Sequence, residues 1–521
     1  MTSLTPEASF ILPKLPKEIH EAIYNYLESD DVKNLRATCS AMAKLIPLSF
    51  DRVFISANSF NLKVFHAIAD HDTLRHQVSE IVWDDARLRS GPELEEEREN
   101  YPHNGDRAVT ENGCPLWFKM GTHYHYQDRE DFPSDYQFPD DLLSLDESWA
   151  YYKTLLEDQR QVISSNADIE AFKYGLRRFP SLKRVTVTPA THGRLWKPLY
   201  RTPMIRAFPR GFDYPLPEAW PCYKPSMPID ALPWMSQQGL PYQQTYDRGC
   251  TAEAYRAKWR GYRVVMRELV EYGNHQVTEL NIGGNEIRSG LNCRIFDHRC
   301  FEYDDLVALL KRPGFRYLSL DLFTGLLEHS DWDSYRSGLL HDALAEAKDI
   351  QHISIRSTTD TAEGFPQQLQ PDEIEESLFP LQTIFPIDHW PNLRHFGISH
   401  MLVQLDDLIN LLAALPQSLR SVELSHLAWG DEDHGYDDLI REMRDALDWR
   451  SRPTEERPTV HLVASASDNR RQGRFVEVDE AVSPFLYGEG SSPFEKHPQI
   501  IYPGYGGVMR DMFDLKFKTP F

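Results

Sequence analysis

Seven times between residues 78 and 424 the chain repeats one six-residue frame, apolar at its first, fourth and sixth places. The copies are Val78-x-x-Ile81-x-Trp83, Leu182-x-x-Val185-x-Val187, Val277-x-x-Leu280-x-Ile282 and Phe315-x-x-Leu318-x-Leu320. They continue with Ile350-x-x-Ile353-x-Ile355, Leu393-x-x-Phe396-x-Ile398 and Leu419-x-x-Val422-x-Leu424, and Val460-His461-Leu462 ends a degraded eighth. In an extended strand the last two apolar residues of such a frame face one side and the residue between them faces the other. Most copies follow a segment with helical spacing: Ile169–Phe179, Ala254–Tyr272, Tyr303–Leu310, Tyr335–Ala347 and Leu405–Leu415. Pro180, Pro313, Pro391 and Pro416 punctuate the turns between. No single helix–strand unit can bury its own apolar face, so the units must stack to share a core.

The frame resembles the strand segment of leucine-rich repeats. The fourth-place residues fall at 81, 185, 280, 318, 353, 396 and 422, so only the final step is near a usual repeat length. The Asn expected after the strand is missing from most copies. The resemblance therefore implies an irregular, helix-rich solenoid of α+β or α/β class. Polar residues beside and between the apolar pairs would line its strand face. The candidate target-binding residues are Asn281, Tyr317, Ser319, Asp321, His352, Ser354, Arg356, His395 and Glu423.

Upstream, Leu12–Phe54 presents three apolar stripes on too little chain to bury them. Pro16 suits a first helical turn, and Ile19, Ile23 and Leu27 then recur every fourth residue. Ser29, Asp30 and Asp31 can cap a second helix carrying Val32, Leu35 and Cys39 on one side, and a third run, Ser40–Leu45, stops at Pro47. The string Leu15-Pro16-Lys17-Glu18-Ile19, the Ile23–Leu27 stretch before Asp30-Asp31, and Leu35-Arg36-Ala37-Thr38-Cys39 together resemble an F-box. F-box proteins bind a Skp-type adaptor that joins them to a cullin–RING ubiquitin ligase. The resemblance implies that Leu15, Pro16, Ile19, Ile23, Leu27, Val32, Leu35 and Cys39 meet that adaptor or hold the three helices in shape.

The expected organisation is a flexible N-terminus at 1–9, an F-box at 10–55 and first repeats at 56–187 with an acidic and aromatic insertion at 91–145. A second insertion spans 188–250, the solenoid 251–464, and an extended segment 465–521. Thr188–Gly249 holds 11 of the chain's 35 prolines, too many for much helix, yet Trp196, Trp220 and Trp234 argue for an ordered loop. Met509–Phe517 is apolar enough to dock back on the body.

A net charge of −23 argues against nucleic-acid or anionic-membrane partners, since phosphate contacts need clustered Lys and Arg. No apolar run reaches membrane-spanning length, and Met1–Phe10 lacks a signal-peptide pattern, so a cytoplasmic or nuclear protein is expected. Cys114, His123 and His125, and Cys293, His298 and Cys300, are loose groups without zinc-type pairing, so no metal or cofactor is expected. The Gly283-Gly284-Asn285 turn lacks a phosphate-loop signature. The sequence thus points to a non-catalytic substrate receptor of a ubiquitin ligase binding an unidentified protein. The alternatives are an F-box scaffold that never recruits a cullin and, third, an enzyme or metal protein built on the His/Cys insertions.

Overall fold

The computed structural model describes residues 15, 16, 19, 23, 27, 29–46, 50–91, 109, 113–123, 139–222, 229–235, 251–284, 287–325, 332–359, 371–431, 434–465, 474–494 and 507–520. The 1–9 segment, the 93–99 charge run, His125, Asn285 and the aromatic residues from 124 to 138 lie outside them. The chain is mixed α/β, with one large and mostly parallel sheet. Its long strands are β1 (Arg52–Ile55), β2 (Glu80–Asp84), β3 (Arg184–Thr188), β4 (Glu279–Ile282), β6 (Tyr317–Phe323), β7 (His352–Arg356), β8 (His395–Ser399), β10 (Ser421–Ser425) and β12 (Thr459–Ser465). These nine pair in chain order, every pair parallel. Short strands join them at one end: β5 (Leu291–Asn292) extends β6, and β9 (Leu402–Val403) pairs with β11 (Ala428–Trp429).

The register is fixed by the repeated frame. Residues Val53, Ile81, Val185, Leu280, Leu318, Ile353, Phe396, Val422 and Val460 are paired across the sheet, and all are at most 3% exposed. The sixth-place residues, Ile55 through Leu462, form a second buried row. A slip of one residue would turn both rows to the other face, so burial specifies the register strongly. Two strands beyond the seven frames belong here. Phe50-x-x-Val53-x-Ile55 is a full copy that opens the series, and the degraded copy becomes β12.

Helices Ser59–Asp70, Ala167–Arg178, Arg260–Glu271, Phe301–Leu310, Leu339–Ala345, Leu405–Ala414, Tyr436–Ala446 and Asp479–Tyr487 connect the strands. Neighbours in this series pack on one another, directly or through the short helix Leu381–Ile384, so they form a layer over the apolar rows. The expected helix at Tyr335–Ala347 is instead two pieces, Asp333–Arg336 and Leu339–Ala345. Gly338 separates them at φ 82°, a left-handed conformation that glycine adopts without strain.

The C-terminal segment, expected to be extended, differs. The helix Asp479–Tyr487 buries Val482, Phe485 and Leu486 although Pro484 sits inside it. Strands β13 (Arg474–Glu477), β14 (Val508–Asp511) and β15 (Asp514–Pro520) then continue the sheet with antiparallel pairing. The turn between β14 and β15 reaches back to the 188–250 insertion, where Lys197 Nζ lies 3.2 Å from Asp514 Oδ2.

The insertions build a second apolar cluster of Leu88, Cys114, Phe118, Tyr152, Leu155, Leu156, Phe212 and Tyr214. Its spine is the helix Leu145–Ser165, which Ser144 and Glu147 cap reciprocally. Beside it Asp84, 2% exposed, accepts from the Ala86 amide at 3.1 Å, and burial pushes its carboxyl up to about 7. An unfolded Asp ionises near 4, so the unfolded state releases this proton first, and stability falls as pH rises from that value through 7. Asp84→Asn should remove about 1.4 kcal/mol of stability loss between pH 6 and 8. Urea unfolding at the two pH values measures it, and equal slopes in both proteins would refute it.

Candidate functional site

Two surfaces answer to the residues singled out in the sequence. At the N-terminus the helices Ser29–Thr38 and Ser40–Leu45 are separated by Cys39, which is extended at φ −163° and ψ 163°. Cys39 is therefore an exposed linker residue and not part of the second helix's stripe. Met42 and Ile46 are buried, and the Arg36 guanidinium donates to the Ile46 carbonyl. Leu15, Ile23, Leu27, Val32 and Leu35 remain only half-buried, Pro16 is exposed, and Ile19 is 47% exposed. Ile19 and Ile23 are helical, and the Ile19 amide donates to the Pro16 carbonyl at 3.1 Å. Residues 17, 18, 20–22, 24–26 and 28 lie outside the described ones.

The second surface is the sheet face opposite the helices. Its front row is built by register: Arg52, Glu80, Arg184, Glu279, Tyr317, His352, His395, Ser421 and Thr459. Parallel pairing sets like positions of neighbouring strands side by side, and one end of the row becomes an ion-pair ladder. Arg52 Nε lies 2.7 Å from Glu80 Oε2, Arg184 Nη2 2.8 Å from Glu279 Oε2, and Arg316 Nη2 2.7 Å from Glu279 Oε1. The other end is a pile of rings. Arg184 lies 4.3 Å from the Tyr317 ring centre, Tyr317 stacks on His352 at 4.0 Å, and His352 stacks on His395 at 4.0 Å. His395 Nδ1 closes the series at 3.1 Å from Ser421 Oγ. Burial pushes His352 down to about 3 and His395 to about 4, so both are neutral imidazoles at pH 7.

The rows behind are less open than a solvated sheet face. Ser319, Ser354 and Asp321 are buried at 4%, 2% and 1% exposure, which corrects their reading as free outward residues. Asp321 Oδ2 accepts from the Gly284 amide at 2.8 Å, so the Gly283-Gly284 turn serves a strand-end contact. Asn281, Arg356 and Glu423 stay half-exposed, and Arg356 Nη2 reaches Glu423 Oε1 at 3.6 Å. All nine candidate residues lie on strands β4 to β10 and share this one face. No local spacing announces the ring pile, since His352 and His395 are 43 positions apart and only register joins them.

A scan against protein-family models and a search of curated proteins return no match. The site's own chemistry must therefore carry any reading. Among the described residues no group of three His, Cys, Asp or Glu is placed to hold a metal. Cys114 and Cys300 are buried, and burial pushes their thiols up to about 11 and 12, far from the thiolate a ligand or nucleophile needs. His123, flagged beside Cys114, instead places Nδ1 2.7 Å from Asp213 Oδ1 and stacks under Trp196 at 3.5 Å, locking the two insertions together. No described helix is long and apolar enough to cross a membrane.

A cavity of about 1150 Å³ lies at the β1 end of the sheet, between the N-terminal helices, β1, the 198–207 segment and the β14–β15 turn. Arg52, Phe54, Phe60, Tyr200, Phe513 and Lys516 are among its walls. It marks the gap where the two ends of the sheet approach one another.

Proposed function

We propose that this protein is the substrate receptor of a Skp–cullin–F-box ubiquitin ligase, with an N-terminal F-box and an irregular leucine-rich-repeat-like solenoid. It performs no catalysis itself; it holds a protein target near a ubiquitin-conjugating enzyme, an effect of positioning. The observation that carries the reading is the contrast in burial between its two halves. The strand frames bury their apolar residues almost completely, while Leu15, Ile19, Ile23, Leu27, Val32 and Leu35 keep apolar surface open on the same chain. Covering even three such side chains gains about 1.5–3 kcal/mol each, enough to support a specific complex. Nine parallel strands in chain order, with a stacked helix layer, support the solenoid part. The strand face, with its ring pile and half-exposed Arg356 and Glu423, is the target-binding surface in this reading. A cytoplasmic or nuclear location follows from that role.

Full-length protein should retain a Skp-type adaptor on co-purification, and Leu15→Asp with Ile19→Asp should weaken it by about 100-fold or more. An intact protein that retains no adaptor would sink the proposal. Cullin in the same pulldown separates a ligase receptor from a scaffold.

A further inference from the structure

One place on the strand face is built differently from its surroundings. In the middle row, where neighbouring strands carry Asn281, Ser319, Ser354 and Glu423, strand β8 carries Gly397. A Cβ at 397 would lie 3.0 Å from Ser354 Oγ and 3.3 Å from His395 Nε2, so both polar atoms converge on the space above this glycine. Both atoms are buried, Ser354 is 2% exposed as a residue, and neither has a hydrogen-bond partner among the described residues. Buried polar atoms without partners are rare and costly, and two converging on one point are a stronger signal than one.

An ion pair crosses over this point. Arg356 sits on β7 and Glu423 on β10, with β8 between them, so their 3.6 Å pair must pass above β8. Their side chains are 25% and 26% exposed, and Ser425 Oγ donates to the same Glu423 oxygen at 3.1 Å. The charges of this pair answer each other, which leaves the site beneath them without net charge. His395 Nδ1 meets the Ser421 hydroxyl, a group that can donate or accept, so Nε2 can take either role in turn.

We propose that this point is a subsite for a primary carboxamide, the side-chain end of an Asn or Gln in a bound protein segment. A carboxamide places one acceptor and two donors on the same end, so it can satisfy Ser354 Oγ and His395 Nε2 together. A peptide unit points its N–H and C=O in opposite directions and cannot. A carboxylate has acceptors alone; a neutral His395 with its proton on Nε2 could meet it, but the group would carry a full negative charge to a buried point where Arg356 already faces Glu423. The subsite rests on the reading of this face as the target-binding surface and narrows it: the recognised segment contains Asn or Gln and crosses β7, β8 and β10.

The test uses the full-length protein with 15N-labelled histidine, His395 being assigned from the signals lost in His395→Gln. Acetamide, N-methylacetamide and acetate are titrated in turn. Millimolar acetamide should shift the His395 nitrogens saturably, and the other two should not. Ser354→Ala, which deletes a hydroxyl without a partner, should weaken the acetamide response about tenfold, one neutral hydrogen bond's worth. No saturable acetamide response, equal responses to all three probes, or an unchanged response in Ser354→Ala would each overturn the subsite. Gly397→Ala gives an independent arm, since its methyl would crowd Ser354 Oγ and should abolish the response. Failure of the wider reading shows elsewhere. Target capture from lysate that is indifferent to Tyr317→Ala and Arg356→Ala would discard the face and leave an acetamide response standing.

Discussion

Mild acid should unfold this protein. His192 is buried and His426 half-buried, and desolvation pushes each down to about 3, while burial holds His400 well below its ordinary value. His400 and His426 stack at 4.4 Å, with Arg288 and Arg356 adding positive charge nearby, and His192 Nδ1 lies 3.0 Å from Tyr214 Oη. In the unfolded chain a histidine binds its proton near pH 6.5, so below that value the unfolded state holds more protons and stability falls as pH drops. Between pH 7 and 5 the loss is about 2 kcal/mol per residue, or about 4 kcal/mol for His192 and His426 together. His400, His352 and His395 act in the same direction. A typical domain has only about 5–15 kcal/mol in all, so cooperative unfolding is expected by about pH 5. Asp84 opposes this from the alkaline side, which places the stability maximum near neutral pH. Urea titrations followed by circular dichroism from pH 8 to 5 measure the slope, and His426→Asn should flatten it. A stability independent of pH below 7 would refute the prediction.

Asp85→Ala should be the most damaging small change outside the apolar rows. Asp85 is 3% exposed, and its Oδ2 accepts from Trp220 Nε1 at 2.7 Å and from the Gly261 amide at 2.9 Å. It thereby ties β2 to the second insertion and to the helix Arg260–Glu271. Alanine would leave two buried donors without a partner and open a cavity, a loss of about 3–5 kcal/mol. Gly261→Ala should damage the same junction, because a Cβ there would lie 2.5 Å from Trp83 Nε1 and 2.8 Å from Asp85 Cγ. Urea unfolding gives the magnitude. Limited proteolysis should cut within 188–235 earlier than in the parent protein. A shift under about 1 kcal/mol with unchanged cleavage would show the junction is held elsewhere.

The periodic part of the fold was legible because burial writes itself into local spacing. Each frame names its own strand, and Ile81/Trp83 through Val422/Leu424 fall in register without adjustment. Phe50-x-x-Val53-x-Ile55 obeys the same rule, and Arg52–Ile55, whose apolar residues read as a short strand, opens the sheet. The helix Asp479–Tyr487 was hidden by Pro484 and the glycines around it, whose local preference is overridden by burial of Val482, Phe485 and Leu486. The second core was illegible for another reason: Cys114, Tyr152 and Tyr214 meet across a hundred residues with no period to announce it.

By itself, then, the sequence determined the alternation of helix and strand, the inward residues of each strand, and the apolar stripes at the N-terminus that its own core does not cover. These are short-range consequences of keeping apolar side chains from water. Only the tertiary structure decided what the outward residues do. Parallel pairing in chain order sets Arg184, Tyr317, His352 and His395 into one pile, leaves Ser319, Ser354 and Asp321 covered on that same outward face, and leaves Gly397 beneath two converging polar atoms. Such neighbours are chosen by register across strands, and register is a property of the stacked sheet that no single strand contains.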